Sequence, residues 1–172
     1  MRETLALLRG LQELDRDLFT IRRELARLPQ ERDRKRSQID ARIHGLKELE
    51  ARLRELHVKV KDIEDLTTSQ RQRMRKLEGE AASSRGDAAL MVAFQHEIRS
   101  LKREISEAEE EGLGLVEQAD TLADERDKLV EAIAEEEKQF AEYDANIESE
   151  LATARAKEEE LGAKRKQRMG EG

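Results

Sequence analysis

Four basic side chains lie within five consecutive positions, at Arg32, Arg34, Lys35 and Arg36. Such a cluster could bind phosphate groups or an acidic protein partner, because grouped cations attract anions. The competing interpretation is that the three glutamates at residues 135–137 neutralise the cluster. We favour neutralisation, because the helix pairing considered below places Arg32 opposite Glu136. In addition, no aromatic residue that could stack on bases is interleaved with the cations.

The other reactive residue types do not form a recognisable catalytic or metal site. The chain has no Cys, which excludes a thiolate nucleophile and cysteine-bound zinc within these residues. Its three histidines, His44, His57 and His96, have no i, i+4 spacing, so we do not expect a shared metal ion. Three Phe, one Tyr and no Trp offer little to line an apolar pocket. We therefore expect a protein that is not an enzyme and that holds no cofactor in this chain.

A polar segment near the middle of the chain is predicted to be a turn and a contact site for a protein partner. Its candidate binding residues are Ser83, Ser84, Arg85, Gly86, Asp87, Leu90 and Met91, with apolar Val92 beside them. Gly86 can adopt a positive φ and end a helix, and Asp87 can cap the next one. Loops at the ends of rigid scaffolds often carry function, although any hairpin needs a polar turn. Met91 also continues the hydrophobic repeat described next.

Apolar residues recur at spacings of three and four on both sides of this segment, from Leu11 to Leu77 and from Phe94 to Leu161. This heptad repeat is typical of coiled coils. A content of 42% charged and 2% aromatic residues agrees with long, solvated helices. Residues 1–86 carry 21 basic and 16 acidic side chains, whereas residues 87–172 carry 12 and 24. The two halves are therefore expected to attract each other.

These features predict an all-α, antiparallel coiled-coil hairpin that forms a single domain over residues 1–172. Its helices are expected over about 2–81 and 88–168, with the turn at 82–87. Pro29 removes an amide donor, so we expect a kink or a short break there. No apolar run approaches the roughly 20 residues of a membrane span, and a cytoplasmic location is expected.

Two pairings of the helices are compatible with this turn. If the turn centres on residue 84, the residue numbers of any two core residues that face each other across the hairpin add up to about 168. That pairing places Arg32 opposite Glu136, but it also brings Arg42 near Arg126, which is unfavourable unless both side chains reach outward. A pairing shifted by one heptad, with a total of about 175, therefore stays open.

Three segments carry a family resemblance: Leu-Gln-Glu-Leu-Asp at 11–15, Leu-Pro at 28–29, and His-Glu-Ile-Arg-Ser-Leu-Lys-Arg-Glu-Ile-Ser at 96–106. In this order they resemble the bacterial family of coiled-coil hairpins that carry a C-terminal C4-type zinc ribbon. That family usually has an Asn-Lys-Glu-Tyr-like element where residues 88–91 read Ala-Ala-Leu-Met. Its ribbon needs four Cys, which are absent here, so zinc is expected only where a ribbon domain follows this segment.

The resemblance implies an adaptor or chaperone whose partner is a sigma factor or a motility or secretion component. Our main hypothesis is accordingly a non-enzymatic protein-interaction module, present as a monomeric hairpin or a dimer. One alternative is binding of RNA or other nucleic acid through the basic face of the first helix. The other is a structural rod that dimerises through its heptads.

Overall fold

A computed structural model describes residues 2–170 and contains two long α-helices. Helix α1 spans Arg2–Ser83, and helix α2 spans Ala88–Gly170. They pack against each other as a hairpin, and the described residues form no strand, which confirms the predicted all-α fold. Neither helix, over those same residues, contains a segment long and apolar enough to cross a membrane.

The connection between the helices is a tight turn at residues 84–87. The backbone N–H of Ser84 donates to the carbonyl of Ala81 at 3.2 Å, and that of Asp87 donates to the carbonyl of Ser84 at 3.1 Å. The Asp87 carboxylate accepts a hydrogen bond from the backbone N–H of Leu90 at 3.2 Å. This bond satisfies one of the free amides at the start of α2, so the predicted cap is confirmed.

Two backbone predictions are corrected. Gly86 does not adopt a positive φ, because the two successive turn hydrogen bonds reverse the chain with ordinary backbone angles. Pro29 does not break α1, whose helical conformation continues through it. Next to it, Leu28 is buried against Ile147 and Leu151, and this packing holds the helix across the missing amide donor. A kink at Pro29 stays a prediction.

Internal contacts divide the chain into two units, each containing a stretch of both helices. The first unit combines the described residues up to His44 with those from Glu131 onward, and the second is Gly45–Val130. Two apolar clusters hold the first unit, one of Leu14, Leu18, Ile21 and Leu161, the other of Leu25, Leu28, Tyr143, Ile147 and Leu151. The second unit has a cluster of Met74, Leu77, Phe94, Ile98, Leu101 and Ile105. A single domain over the whole chain stays a prediction.

The apolar stripe of α2 departs locally from the predicted heptad positions, at residues 150 and 151. The repeat assigns Glu150 to the core, but Glu150 is exposed and Leu151 is only 2% exposed. A one-residue step turns a helix face by roughly 100°, so only one of these two neighbouring side chains can face α1. Burial of the leucine is favourable, whereas burial of the carboxylate would leave it without water, so the stripe drifts by one position there. It returns to the predicted position at Leu161, which is buried.

In each unit the residue numbers of facing core residues add up to about 175, which is the second of the two predicted pairings. The first unit joins Leu28 to Ile147 in one cluster, and in the second a Cβ built on Gly112 would lie 3.2 Å from Ile63 Cγ2. The pairing of about 168 is therefore wrong.

The ion pairs between the helices explain why the chain adopts the pairing of about 175 and not that of about 168. Arg42 lies 2.5 Å from a Glu136 carboxylate oxygen and not beside Arg126, and Arg32 bonds Glu148 at 2.5 Å and not Glu136. The observed pairing gives each of these cations a carboxylate, whereas the other pairing brings two arginines together.

The buried position of Leu151 can be tested against its neighbour. We expect Leu151→Ala to lower the free energy of unfolding by about 2 to 5 kcal/mol, because it leaves a cavity in the core. Glu150→Ala, at an exposed position, should change the free energy of unfolding by less than about 0.5 kcal/mol. Urea unfolding followed by circular dichroism measures both. Equal destabilisation by the two variants would contradict the drift of the stripe.

The pairing can be tested by cross-linking, since the natural chain has no Cys. A variant with Ile63→Cys and Gly112→Cys should form an intramolecular disulfide on mild oxidation, because these positions are adjacent. A control with Ile63→Cys and Ile105→Cys, which the other pairing would place together, should stay reduced. Non-reducing electrophoresis and intact mass measure the outcome, and the reverse pattern would restore the pairing of about 168.

Candidate functional site

The predicted turn residues and the first turns of α2 form one surface at the end of the second unit. We name it the tip surface, and it consists of Ser83, Ser84, Arg85, Gly86, Asp87, Leu90, Met91 and Val92. Ser84 and Met91 are half-buried, and the other members are exposed. Leu90 keeps 42% and Val92 keeps 62% of its surface accessible to solvent. Two apolar side chains are therefore exposed beside polar turn residues.

Local hydrogen bonds and the underlying core hold the tip surface in place. The Ser83 hydroxyl donates to the carbonyl of Gly79 at 3.1 Å, and Asp87 caps α2. Ala81 is buried just before the turn, and Phe94 packs on the apolar cluster just after it. The exposed apolar side chains therefore belong to an ordered helix start, which lowers the entropy cost of binding through them.

Two arginines of the basic cluster bind acidic side chains of α2. The guanidinium of Arg32 lies 2.5 Å from Glu148 and 3.5 Å from Asp144. The guanidinium of Arg36 donates to Glu137 at 2.8 Å, as predicted for the acidic run at 135–137. The hydrogen bonds that the two guanidinium groups donate to Glu148 and Glu137 raise the pKa of Arg32 and of Arg36, respectively. Both cations are thus already neutralised within the hairpin.

The other members of the cluster differ in their surroundings. The Lys35 ammonium lies 3.7 Å from the centroid of the Tyr143 ring, a cation–π contact. A second such contact places the guanidinium of Arg36 5.5 Å from the centroid of Phe140. Arg34 is exposed and makes no ion pair with any residue in 2–170. The cluster therefore does not act as one free basic surface, although binding of an anion there stays a prediction.

The sequence analysis missed Asp144 and Glu148 as partners of Arg32. A pairing total of about 175 places residue 143 opposite Arg32, directly before Asp144. The sequence could therefore have predicted these two partners of Arg32, but only after the choice between the two pairings had been made.

The phenolic oxygen of Tyr143 is buried and has no hydrogen-bond partner within the described part of the chain. Burial raises the pKa of Tyr143, and the nearby Glu31 carboxylate raises it further. Both effects disfavour the phenolate, one by removing water and the other by like-charge repulsion.

No group of three or more His, Asp or Glu side chains within residues 2–170 is arranged to hold a metal ion. The three histidines remain at separate positions along the helices, at His44, His57 and His96. Zinc bound by a following ribbon domain stays a prediction.

The fold defines the chain as a two-helix coiled-coil hairpin protein. The family described as the CT398-like coiled coil hairpin domain matches residues 11–171, and the chain belongs to this family. A solved structure from Mycobacterium smegmatis is similar over 92% of this chain and 70% of its own, with 18% identity and a TM-score of 0.44. A comparison with curated proteins gives no significant match. The family assignment confirms the hairpin part of the resemblance found in the sequence.

The pKa of Tyr143 has a measurable consequence. Tyr143 is the only Tyr and the chain has no Trp, so tyrosinate absorbance at 295 nm reports on this residue alone. We expect its titration in the folded protein to lie above the ordinary value of about 10 and to return to it in denaturant.

Because the folded pKa is raised, the protonated phenol stabilises the fold below the unfolded pKa. This stabilisation is lost as the pH rises through the folded pKa. Urea unfolding at pH 8 and at pH 11 tests this, with Tyr143→Phe as the control that retains Lys35. The variant should lose less free energy of unfolding over this interval than the natural protein, and an equal loss would contradict the assignment.

Proposed function

We propose that this protein is a non-enzymatic adaptor or chaperone-like module that binds a protein partner through the tip surface. The observation that carries the proposal is the exposure of Leu90 and Val92 on a capped helix start. Leu90 and Val92 lie two positions apart and so point to different sides of α2, and a partner that encloses the helix start would cover both.

The chemistry of the tip surface favours a protein as the partner. Burial of Leu90 and Val92 against apolar side chains would release water at roughly 25 cal/mol per Å² of buried apolar surface. Arg85 and Asp87 are exposed beside them, and one charge of each sign can orient a partner that carries the complementary pair. A nucleic acid would gain little here, since the surface has a single cation and no aromatic side chain.

The resemblance of the sequence supports a sigma factor, or a motility or secretion component, as the partner. This choice also agrees with the cytoplasmic location that the sequence led us to expect. An adaptor of this kind needs a stable scaffold and an exposed contact surface, and it needs no catalytic group or cofactor.

The two alternatives have less support. Nucleic-acid binding through α1 would have to compete with the carboxylates that already hold Arg32 and Arg36. A rod that dimerises through its heptads would need the same apolar stripe that each helix buries against the other within one chain.

Exchange of the exposed apolar residues tests the proposal. A tip variant carries Leu90→Ser and Val92→Ser, and its control carries Leu66→Ser and Val58→Ser on α1. The control residues are similarly exposed, at 50% and 59%. Immobilised full-length chains are incubated with nuclease-treated lysate of the source organism, and the dissociation constant of the recovered protein is then measured with purified components.

We expect to recover a partner protein in stoichiometric amount. It should bind the natural chain and the control with equal affinity, and it should bind the tip variant about tenfold more weakly or worse. Circular dichroism should show all three folded, because every exchange is at the surface. Recovery of nucleic acid alone, or of proteins that are lost on nuclease treatment, would overturn the adaptor function. Equal binding by the tip variant would show that the partner contacts another surface.

A further inference from the structure

We propose that the second unit carries a separate docking site, a groove that binds a basic amphipathic helix of a partner protein. The site lies between α1 and α2. Its apolar and small lining residues are Val60, Ile63, Thr67, Gly112, Leu113 and Val116, and its charged ones are Glu64, Arg71 and Glu109. We name it the Gly112 groove. It shares no residue with the tip surface, so the inference goes beyond the proposed function.

The floor of the groove is made by a core position that has no side chain. Gly112 occupies a heptad position in α2 and faces Ile63 of α1, which a Cβ at Gly112 would approach to 3.2 Å. A larger residue there would have to push Ile63 aside. The Ile63 side chain therefore packs directly against the glycine backbone, and together they form the floor of the groove.

The walls of the groove are apolar and unusually exposed. Leu113 keeps 67% of its surface accessible, the highest value among the exposed large apolar side chains of the described residues, and Val116 is also exposed. They lie three positions apart in α2, so both face the same side of the helix. An apolar side chain inserted between them would cover surface that the hairpin leaves in water.

The charge around the groove indicates what kind of partner fits. Residues 104–125 of α2 contain nine acidic side chains and no basic one. The α1 segment that faces them, residues 50–71, carries five basic and five acidic side chains and so leaves the excess of negative charge in place.

One ion pair joins these two segments, between Arg71 and Glu109. Glu110, Glu117 and Asp120 are exposed and make no ion pair within residues 2–170. Glu110 and Glu117 flank Leu113 at i−3 and i+4, and Asp120 follows Val116 at i+4, so they lie on the exposed side of α2 next to the groove. We call these three carboxylates the rim, and a partner's lysines and arginines can reach them.

An amphipathic helix matches this combination of features. Apolar residues at i, i+3 or i+4, and i+7 of such a helix can enter a groove between two helices, while its flanks reach the rim. Basic flanks would meet Glu110 and Glu117, whereas acidic flanks and the phosphates of a nucleic acid would be repelled. A second copy of this chain fits less well, because a symmetric contact would place the acidic segment against itself.

The test uses a designed helical peptide of three heptads with leucines along one face and lysines on both flanks. A matched peptide carries glutamate at each lysine position. Their binding to the full-length protein is measured by fluorescence anisotropy at low salt. We expect saturable binding of the lysine peptide and binding of the glutamate peptide that is at least about a hundredfold weaker.

Three protein variants locate the binding. Leu113→Ser with Val116→Ser removes the apolar walls, and Glu110→Lys with Glu117→Lys reverses the rim charge. Each of these two variants should bind the lysine peptide about tenfold more weakly or worse than the natural protein does. The control Leu66→Ser exchanges an exposed leucine outside the groove and should change binding by less than about twofold. Circular dichroism checks that every variant is folded.

Several results would overturn the docking site. They are no binding of the lysine peptide, equal binding after loss of Leu113 and Val116, or the same loss in the Leu66→Ser control. A doubling of mass in sedimentation equilibrium that Leu113→Ser abolishes would assign the groove to a second copy instead. The variant with Leu90→Ser and Val92→Ser should bind the peptide normally, so failure of this site and failure of the tip surface are distinguishable.

Discussion

Burial of one apolar stripe on each helix is the constraint on which the rest of the structure depends. Leucine and isoleucine at these positions lose their contact with water only when the helices face each other. An isolated helix of such a charged sequence would have little to stabilise it beyond hydrogen bonds and local ion pairs. Burial of the stripe therefore determines the hairpin. Only side chains outside the stripe remain exposed and available to contact a partner.

Charged residues near the stripe determine how the helices are aligned along each other. Single exposed ion pairs contribute little to stability, about 0 to 1 kcal/mol each. Their effect on alignment is larger, because a shift by one heptad exchanges attractive contacts for repulsive ones. In the first unit, Arg32, Arg36 and Arg42 all meet carboxylates of α2. The same contacts remove most of the basic cluster from the set of free binding surfaces, so alignment and function are linked.

The tip surface and the Gly112 groove are both interruptions of the coiled-coil pattern, and this explains why apolar side chains are exposed at both. At the tip, the chain reverses and the apolar residues Leu90 and Val92 have no facing helix to cover them. At the groove, Gly112 supplies no side chain and Leu113 lies outside the seam. The two surfaces differ in charge, nearly neutral at the tip and acidic beside the groove, so the two proposed sites would select different partners.

The amino-acid sequence alone determined the two helices, the position of the turn and the cap at Asp87, because these depend on local periodicity and on hydrogen bonds between neighbours. It also indicated that residues 135–137 would neutralise part of the basic cluster. Only the tertiary structure decided between the two pairings, the choice of Leu151 over Glu150 for the core, and the exposure of Leu113. Heptad patterns repeat every seven residues, so pairings one heptad apart satisfy them almost equally well. The difference lies in contacts between residues distant in the chain, which exist only once the helices are packed.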